Sequence, residues 1–171
     1  ARALARRGLS LEGSQFFPQL PEMAQFAKTV PDLKIVLNHI GGLMRVGPYG
    51  NRDHEVLPIW RQGIAAVAEC PNVYIKLGGI GQPRYGFDWH TRDHPIGSEE
   101  LAQALAPYMN YCIEQLGPDR CMFESNFPPD KVSFSYNVMY NAFKRLSKEY
   151  SASDRAALFH DTAVRVYGIE A

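Results

Sequence analysis

The chain has 171 residues, 46% apolar and 21% charged, with 18 basic side chains against 18 acidic ones. That is a single domain's worth of ordinary globular sequence, able to bury roughly 70% of its unfolded surface. The even charge balance gives no electrostatic footprint for nucleic acid or an anionic membrane, and no apolar run approaches the ~20 residues that span a bilayer.

The first element in chain order is a weak β-forming run over residues 9–17. Pro21 then opens a helix whose apolar face is Met23, Phe26, Ala27 and Val30, and Pro31-Asp32 ends it. Residues 34–39 (KIVLNH) predict a second strand, and residues 55–69 a helix carrying Val56, Ile59, Trp60, Ile64, Val67 and Ala68. Pro58 is tolerable there only in the first turn. Residues 72–77 (NVYIKL) predict the third strand. Ser98 is expected to cap a helix through Leu116, with Glu99 and Glu100 in its first turn. Residues 121–125 (CMFES) give a fourth strand, stopped by Pro128-Pro129. A helix over residues 134–148 follows. Ser151-Ala152-Ser153-Asp154 reads as a capping box for a terminal helix through Tyr167.

Strand and helix alternate four times, which argues for a parallel sheet with right-handed crossovers. The strand-to-helix connections at residues 41–52 and 78–97 are long and rich in Gly and Pro, whereas the return connections are short. Long loops at one end and tight ones at the other suggest an α/β barrel of the TIM (β/α)8 type with an elaborated catalytic face. Such a barrel takes ~250 residues and eight strands. Residues 1–171, read as one domain, supply four βα units, a half barrel. The basic start ARALARRGLSLEG lacks the apolar stretch of a secretory signal. Cys70, Cys112 and Cys121 are widely spaced in apolar or helical contexts, as expected of buried thiols in a cytoplasmic protein.

The polar residues at the strand ends are the candidates for chemistry. His39 closes the second strand before Gly41-Gly42, where it can be a metal ligand, a general base, a substrate clamp or simply a hydrogen-bonded strand end. Alternation along the third strand puts Val73, Ile75 and Leu77 under the helices and Lys76 toward the barrel interior. On the fourth, Met122, Glu124 and Asn126 share a face, with Glu124 ~6.6 Å below Asn126. A buried carboxylate needs a partner, and Lys76 is the expected one for Glu124. Asp130 either holds its loop in shape or reaches the substrate. The loop over residues 78–97, with Arg84, Tyr85, His90 and His94, reads as a lid that contacts substrate. His90 and His94 have metal-ligand spacing only on a helix, which Pro95 and the nearby glycines oppose.

KIVLNHIGG, NVYIKLGGIG and DRCMFESNFPPDK, in that order, resemble the amidohydrolase-2 family. Its members are TIM-barrel hydrolases related to 2-pyrone-4,6-dicarboxylate lactonase and the sugar lactonases. The resemblance runs over essentially the whole chain but matches only the C-terminal half of the barrel, from about the fifth strand. His39 matches the sixth-strand histidine, residues 78–97 follow strand seven, and Ser125-Asn126-Phe127-Pro128 matches the end of strand eight.

The resemblance implies a hydrolase for a lactone, or a related cyclic ester or amide, of a small carboxylic or sugar acid. His39 would clamp or polarise the scissile carbonyl or bind metal, Asn126 would orient water, and Glu124 would be the acid/base. Lys76, Arg84, Tyr85, His90 and Asp130 would meet the substrate. A divalent metal such as zinc, or none, would assist. The first-strand His-x-His pair has no counterpart, the eighth-strand catalytic aspartate is replaced by Asn126, and the fifth-strand histidine motif by Gln15-Phe16-Phe17. An amide cannot accept a proton at neutral pH. The rival expectations are a degenerate barrel that binds without turnover and a decarboxylase on the same scaffold. The expected partners are a small-molecule substrate and either a second copy of the chain or a missing N-terminal half.

Overall fold

In the computed structural model, which describes residues 1–170, four parallel strands form one sheet in sequence order. They are β1 (Ser10–Gly13), β2 (Lys34–Leu37), β3 (Val73–Leu77) and β4 (Cys121–Phe123). Ile75 lies opposite Leu37 on one side and Cys121 on the other, so the outward-facing apolar residues fall into rows. After a short helix α1 (Arg2–Ala5), the outer face is covered by α2 (Leu20–Thr29), α3 (Asp53–Ala68), α4 (Ser98–Leu116) and α5 (Tyr136–Leu146). These helices pack in sequence order and, with Ile35, Leu37, Val73, Ile75, Leu77 and Cys121, enclose the main core. Cys70, Cys112 and Cys121 are free and buried.

The other face of the sheet holds a smaller cluster. Val36 and Met122 are covered by Val166, with Tyr74 and Ala163 beside them. Val166 belongs to the terminal helix, which is built as α6 (Ala152–Ala156), a π-helical turn (Ala157–Asp161) and α7 (Thr162–Tyr167). The Ser151 hydroxyl accepts from the Asp154 N–H at 3.1 Å, as expected of the N-cap. Lys34 donates to the carbonyls of Arg165 and Val166 at 3.1 and 3.2 Å, satisfying groups that a helix C-terminus leaves open. The terminal helix is thereby tied across the inner face of the sheet.

Several boundaries differ from the sequence expectation. α3 starts at Asp53, which puts Pro58 inside the helix. The N-cap of α4 is Gly97; Ser98 is already helical, and its hydroxyl accepts from Arg145 Nε at 3.2 Å. α5 begins only after Ser135, whose hydroxyl accepts from the Val138 N–H. β2 and β4 end at Leu37 and Phe123; the Glu124 N–H keeps one last bond to Leu77 O on β3 at 3.2 Å, while His39 and Asn126 lie beyond the ladder on left-handed backbone no longer bound to strand alternation.

Candidate active site

Past β2 the backbone makes a left-handed turn: His39, Ile40, Gly41 and Gly42 have φ of +54°, +49°, +73° and +72°. Glycine accepts this conformation freely, but it costs a side-chain-bearing residue roughly 1–2 kcal/mol. Several contacts hold it. Trp60 on α3 donates its indole N–H to the Ile40 carbonyl at 2.8 Å in the core. Asn38 N–H bonds Gly13 O at 2.9 Å, and His39 N–H reaches Glu124 Oε1 at 3.2 Å. A Cβ on Gly42 would lie 1.9 Å from Gln15 O, so only glycine lets the β1 loop come this close.

The turn aims the His39 ring across β3 at Glu124. Nδ1 lies 2.6 Å from Glu124 Oε1, with the two side chains 18% and 15% exposed. The ring passes over Gly79, where a Cβ would sit 1.8 Å from Nδ1. A carboxylate on Nδ1 fixes that nitrogen as the N–H and leaves Nε2 with its lone pair outward. Glu124 therefore pairs with His39, and the expected Lys76–Glu124 pair does not form. Lys76 instead bonds Glu12 Oε2 at 2.8 Å on the inner sheet face, with its ammonium 5.6 Å from the Tyr167 ring centre. Tyr167 donates to Glu12 Oε1 at 2.5 Å.

A second cluster adjoins the first. Asn126, also left-handed at φ +49°, donates from Nδ2 to Asp130 Oδ1 at 2.7 Å. Asp130 Oδ2 accepts from the Gly81 N–H at 2.9 Å, and the Ser133 hydroxyl donates to the Gly81 carbonyl. Asp130 is fully buried. Burial raises its carboxyl above the ordinary value, against the opposing pull of the Gly81 and Asn126 bonds. Asp130 thus ties the loop after β3 to the loop after β4.

The expected lid is anchored rather than loose. Tyr85, Trp89 and Ile96 are buried, and Phe87 stacks on Trp89 at 4.3 Å. Tyr85 stands edge-on to His39 at 6.5 Å, and burial pushes its phenol up to about 12. With Arg84 it joins Ser14, Gln15, Asn38 and His39 around a cavity of about 160 Å³. His90 lies elsewhere, exposed in a cleft of about 690 Å³ with Arg92, Phe127 and Tyr136. His94 is exposed.

Three features of the site escaped the sequence reading: Ser14, Asn38 and the gap at Gly79. Asn38 directly precedes His39, and that adjacency was the available signal.

Among the described residues no group of three or more His, Cys, Asp or Glu side chains is placed to hold a metal ion. His39 Nε2 is one imidazole suited to such a set, but the residues present do not complete it. No helix of the described residues is long and apolar enough to cross a membrane.

Comparison with known proteins places this arrangement among relatives. A family model described as Amidohydrolase matches residues 1–169. The uncharacterized protein y4mH of Sinorhizobium fredii is 36% identical over 168 residues, covering 98% of this chain and 50% of that protein. L-fucono-1,5-lactonase of Burkholderia multivorans is 28% identical over 155 residues, 90% of this chain and 49% of the lactonase. A crystal structure of a Burkholderia multivorans amidohydrolase with bound zinc matches with a TM-score of 0.82 at 24% identity. That match covers 98% of this chain and 55% of the solved one. The chain spans about half the length of the curated relatives it matches. Its parallel four-stranded α/β unit corresponds to half of a TIM barrel.

Proposed function

Because this chain belongs to the amidohydrolase family, we propose that it builds half of an active site that opens lactones, with His39 as the proton-transfer group. The observation that carries this reading is the 2.6 Å bond between His39 Nδ1 and Glu124. It fixes the tautomer with a basic Nε2, as a carboxylate does for histidine in hydrolytic dyads and triads. Glu124 acts through His39 and does not itself take the water's proton. Support also comes from the lactonase among the relatives.

The proton transfers run through His39 alone. Nε2 takes a proton from water as its oxygen bonds the lactone carbonyl carbon. The tetrahedral intermediate then breaks the acyl–oxygen bond of the ring, and the leaving alkoxide recovers the proton from Nε2. The product is an open hydroxy acid, which ionises to the carboxylate. Asn126, with its Nδ2 committed to Asp130, keeps Oδ1 to accept a hydrogen bond from the attacking water. As an amide it orients the water without deprotonating it.

The test is hydrolysis of L-fucono-1,5-lactone and other sugar-acid lactones, followed with a pH indicator. General acid–base catalysis contributes about 10²–10⁴-fold, so His39→Asn, an exchange the left-handed backbone tolerates, should lower kcat at least ~100-fold. Glu124→Gln should lower kcat by ~10-fold or more and displace the pH–rate profile. Wild-type turnover in a folded His39→Asn protein would rule the reading out. The exchange of a carboxylate for Asn126 favours a second reading, a pocket that binds without turnover. Hydroxy-acid binding with no hydrolysis of any lactone would establish it. Carbon dioxide release from aromatic or muconate-type acids would instead indicate a decarboxylase.

A further inference from the structure

The cavity beside His39 has a polar wall that proton transfer does not use. At about 160 Å³ it is close to the ~150 Å³ that accommodates a single six-membered ring. Asn38 Nδ2 donates to Ser14 Oγ at 2.9 Å, while Asn38 Oδ1 is buried with no partner. Turning the amide over changes nothing, because one Ser14 hydroxyl serves only one of the two amide atoms. A buried polar atom left unpaired is destabilising, and a suitable ligand group offsets that loss on entering. A hydroxyl suits either amide atom because it both donates and accepts, whereas a carboxylate or carbonyl oxygen only accepts. At the rim, the exposed Arg84 guanidinium lies 5.2 Å from the Tyr85 ring centre and pairs with no carboxylate among the described residues.

We propose that Asn38 and Arg84 form a hydroxy-acid subsite: Asn38 accepts a ring hydroxyl of the substrate, and Arg84 receives the carboxylate that ring opening releases. This rests on the lactone reading and narrows its substrate class to hydroxylated monocyclic lactones, in preference to rings bearing no hydroxyl. Arg84 bonds weakly to the neutral lactone and strongly to the ionised product, since a charge-assisted guanidinium–carboxylate bond is roughly twice as strong as a neutral one. The open acid is therefore held more tightly than the substrate.

The test is isothermal titration of the unaltered protein with D-gluconate, a six-carbon hydroxy acid, and with hexanoate, its hydroxyl-free counterpart. Gluconate should bind at least about tenfold more tightly. Asn38→Ala should weaken gluconate about tenfold and leave hexanoate unchanged, while Arg84→Gln should weaken both. Ser14→Ala loses the same Ser14–Asn38 bond but keeps the amide, so it should hold gluconate affinity to within about twofold. Equal losses in Ser14→Ala and Asn38→Ala would make Asn38 a structural residue and overturn the subsite. Equal affinity for the two acids, or no gluconate binding, would overturn it as well. Failure of the lactone reading looks different: this binding pattern would persist without turnover.

Discussion

His39 and Ile40 carry the sharpest local conflict in the molecule. Two consecutive side-chain-bearing residues in the left-handed region store roughly 2–4 kcal/mol, and the Trp60, Glu124 and Asn38 contacts hold them there. Such strain is maintained where a side chain must be aimed, and here it aims His39 at Glu124. Asp130 is the second residue under tension. Burial raises its carboxyl, so the native state binds more protons than the unfolded chain above the ordinary value of 3.8. Its contribution is complete below that value and is lost as pH rises through the folded value. The urea stability of the protein relative to Asp130→Asn should therefore fall as pH rises above 3.8 and level off once the folded carboxyl has ionised; a constant difference would contradict the assignment. His39, Glu124, Asn126 and Asp130 were all legible in the sequence as polar residues at strand mouths. Their partners were not. The Lys76–Glu124 expectation extended strand alternation past Phe123, whereas the His39–Glu124 pair depends on a left-handed turn and a missing Cβ at Gly79.

At the scale of elements, α3 braces the β2 turn through one indole N–H. Trp60→Phe keeps most of the apolar volume but leaves the Ile40 carbonyl unpaired in the core. It should cost about 2 kcal/mol in urea unfolding and should lower turnover in the lactone assay through the displaced His39. Unchanged stability would mean that the bond does not support the turn. The four strands, and the helices behind them, were readable because each apolar run is bounded by Pro, Gly or Asp and keeps its own period. The π-helical turn at Ala157–Asp161 was not, since no residue pattern distinguishes it from continuous α-helix. Loop residues 78–97 read as a lid on aromatic content. The same aromatics, Tyr85 and Trp89, are what fasten the loop down.

For the whole molecule, the repeated strand–helix units were sufficient to predict a half barrel. Nothing in the periodicity told which sheet face the last helix would take, and Val166 and Tyr167 sit on the inner one. β1 and β4 each pair on one side only, leaving two open ladders in the described sheet. Leu9 and Phe16, flanking β1, are 51% and 43% exposed. Open edges beside apolar side chains invite strand pairing. These 171 residues expressed alone should therefore sediment above monomer mass in a concentration-dependent way. A strict monomer over a wide concentration range would show that the edges are blunted as they stand.

The three buried thiols make the molecule its own reporter. Burial raises the Cys70, Cys112 and Cys121 thiols above their ordinary value, so the reactive thiolate is scarce as well as shielded. A thiol reagent should meet no target on the folded chain, and each alkylation should record one opening event. Cys70 contacts α2 through the Ala24 carbonyl, while Cys121 contacts α4 through the Cys112 carbonyl. Labelling rates read by mass spectrometry would thus time the two halves of the core separately.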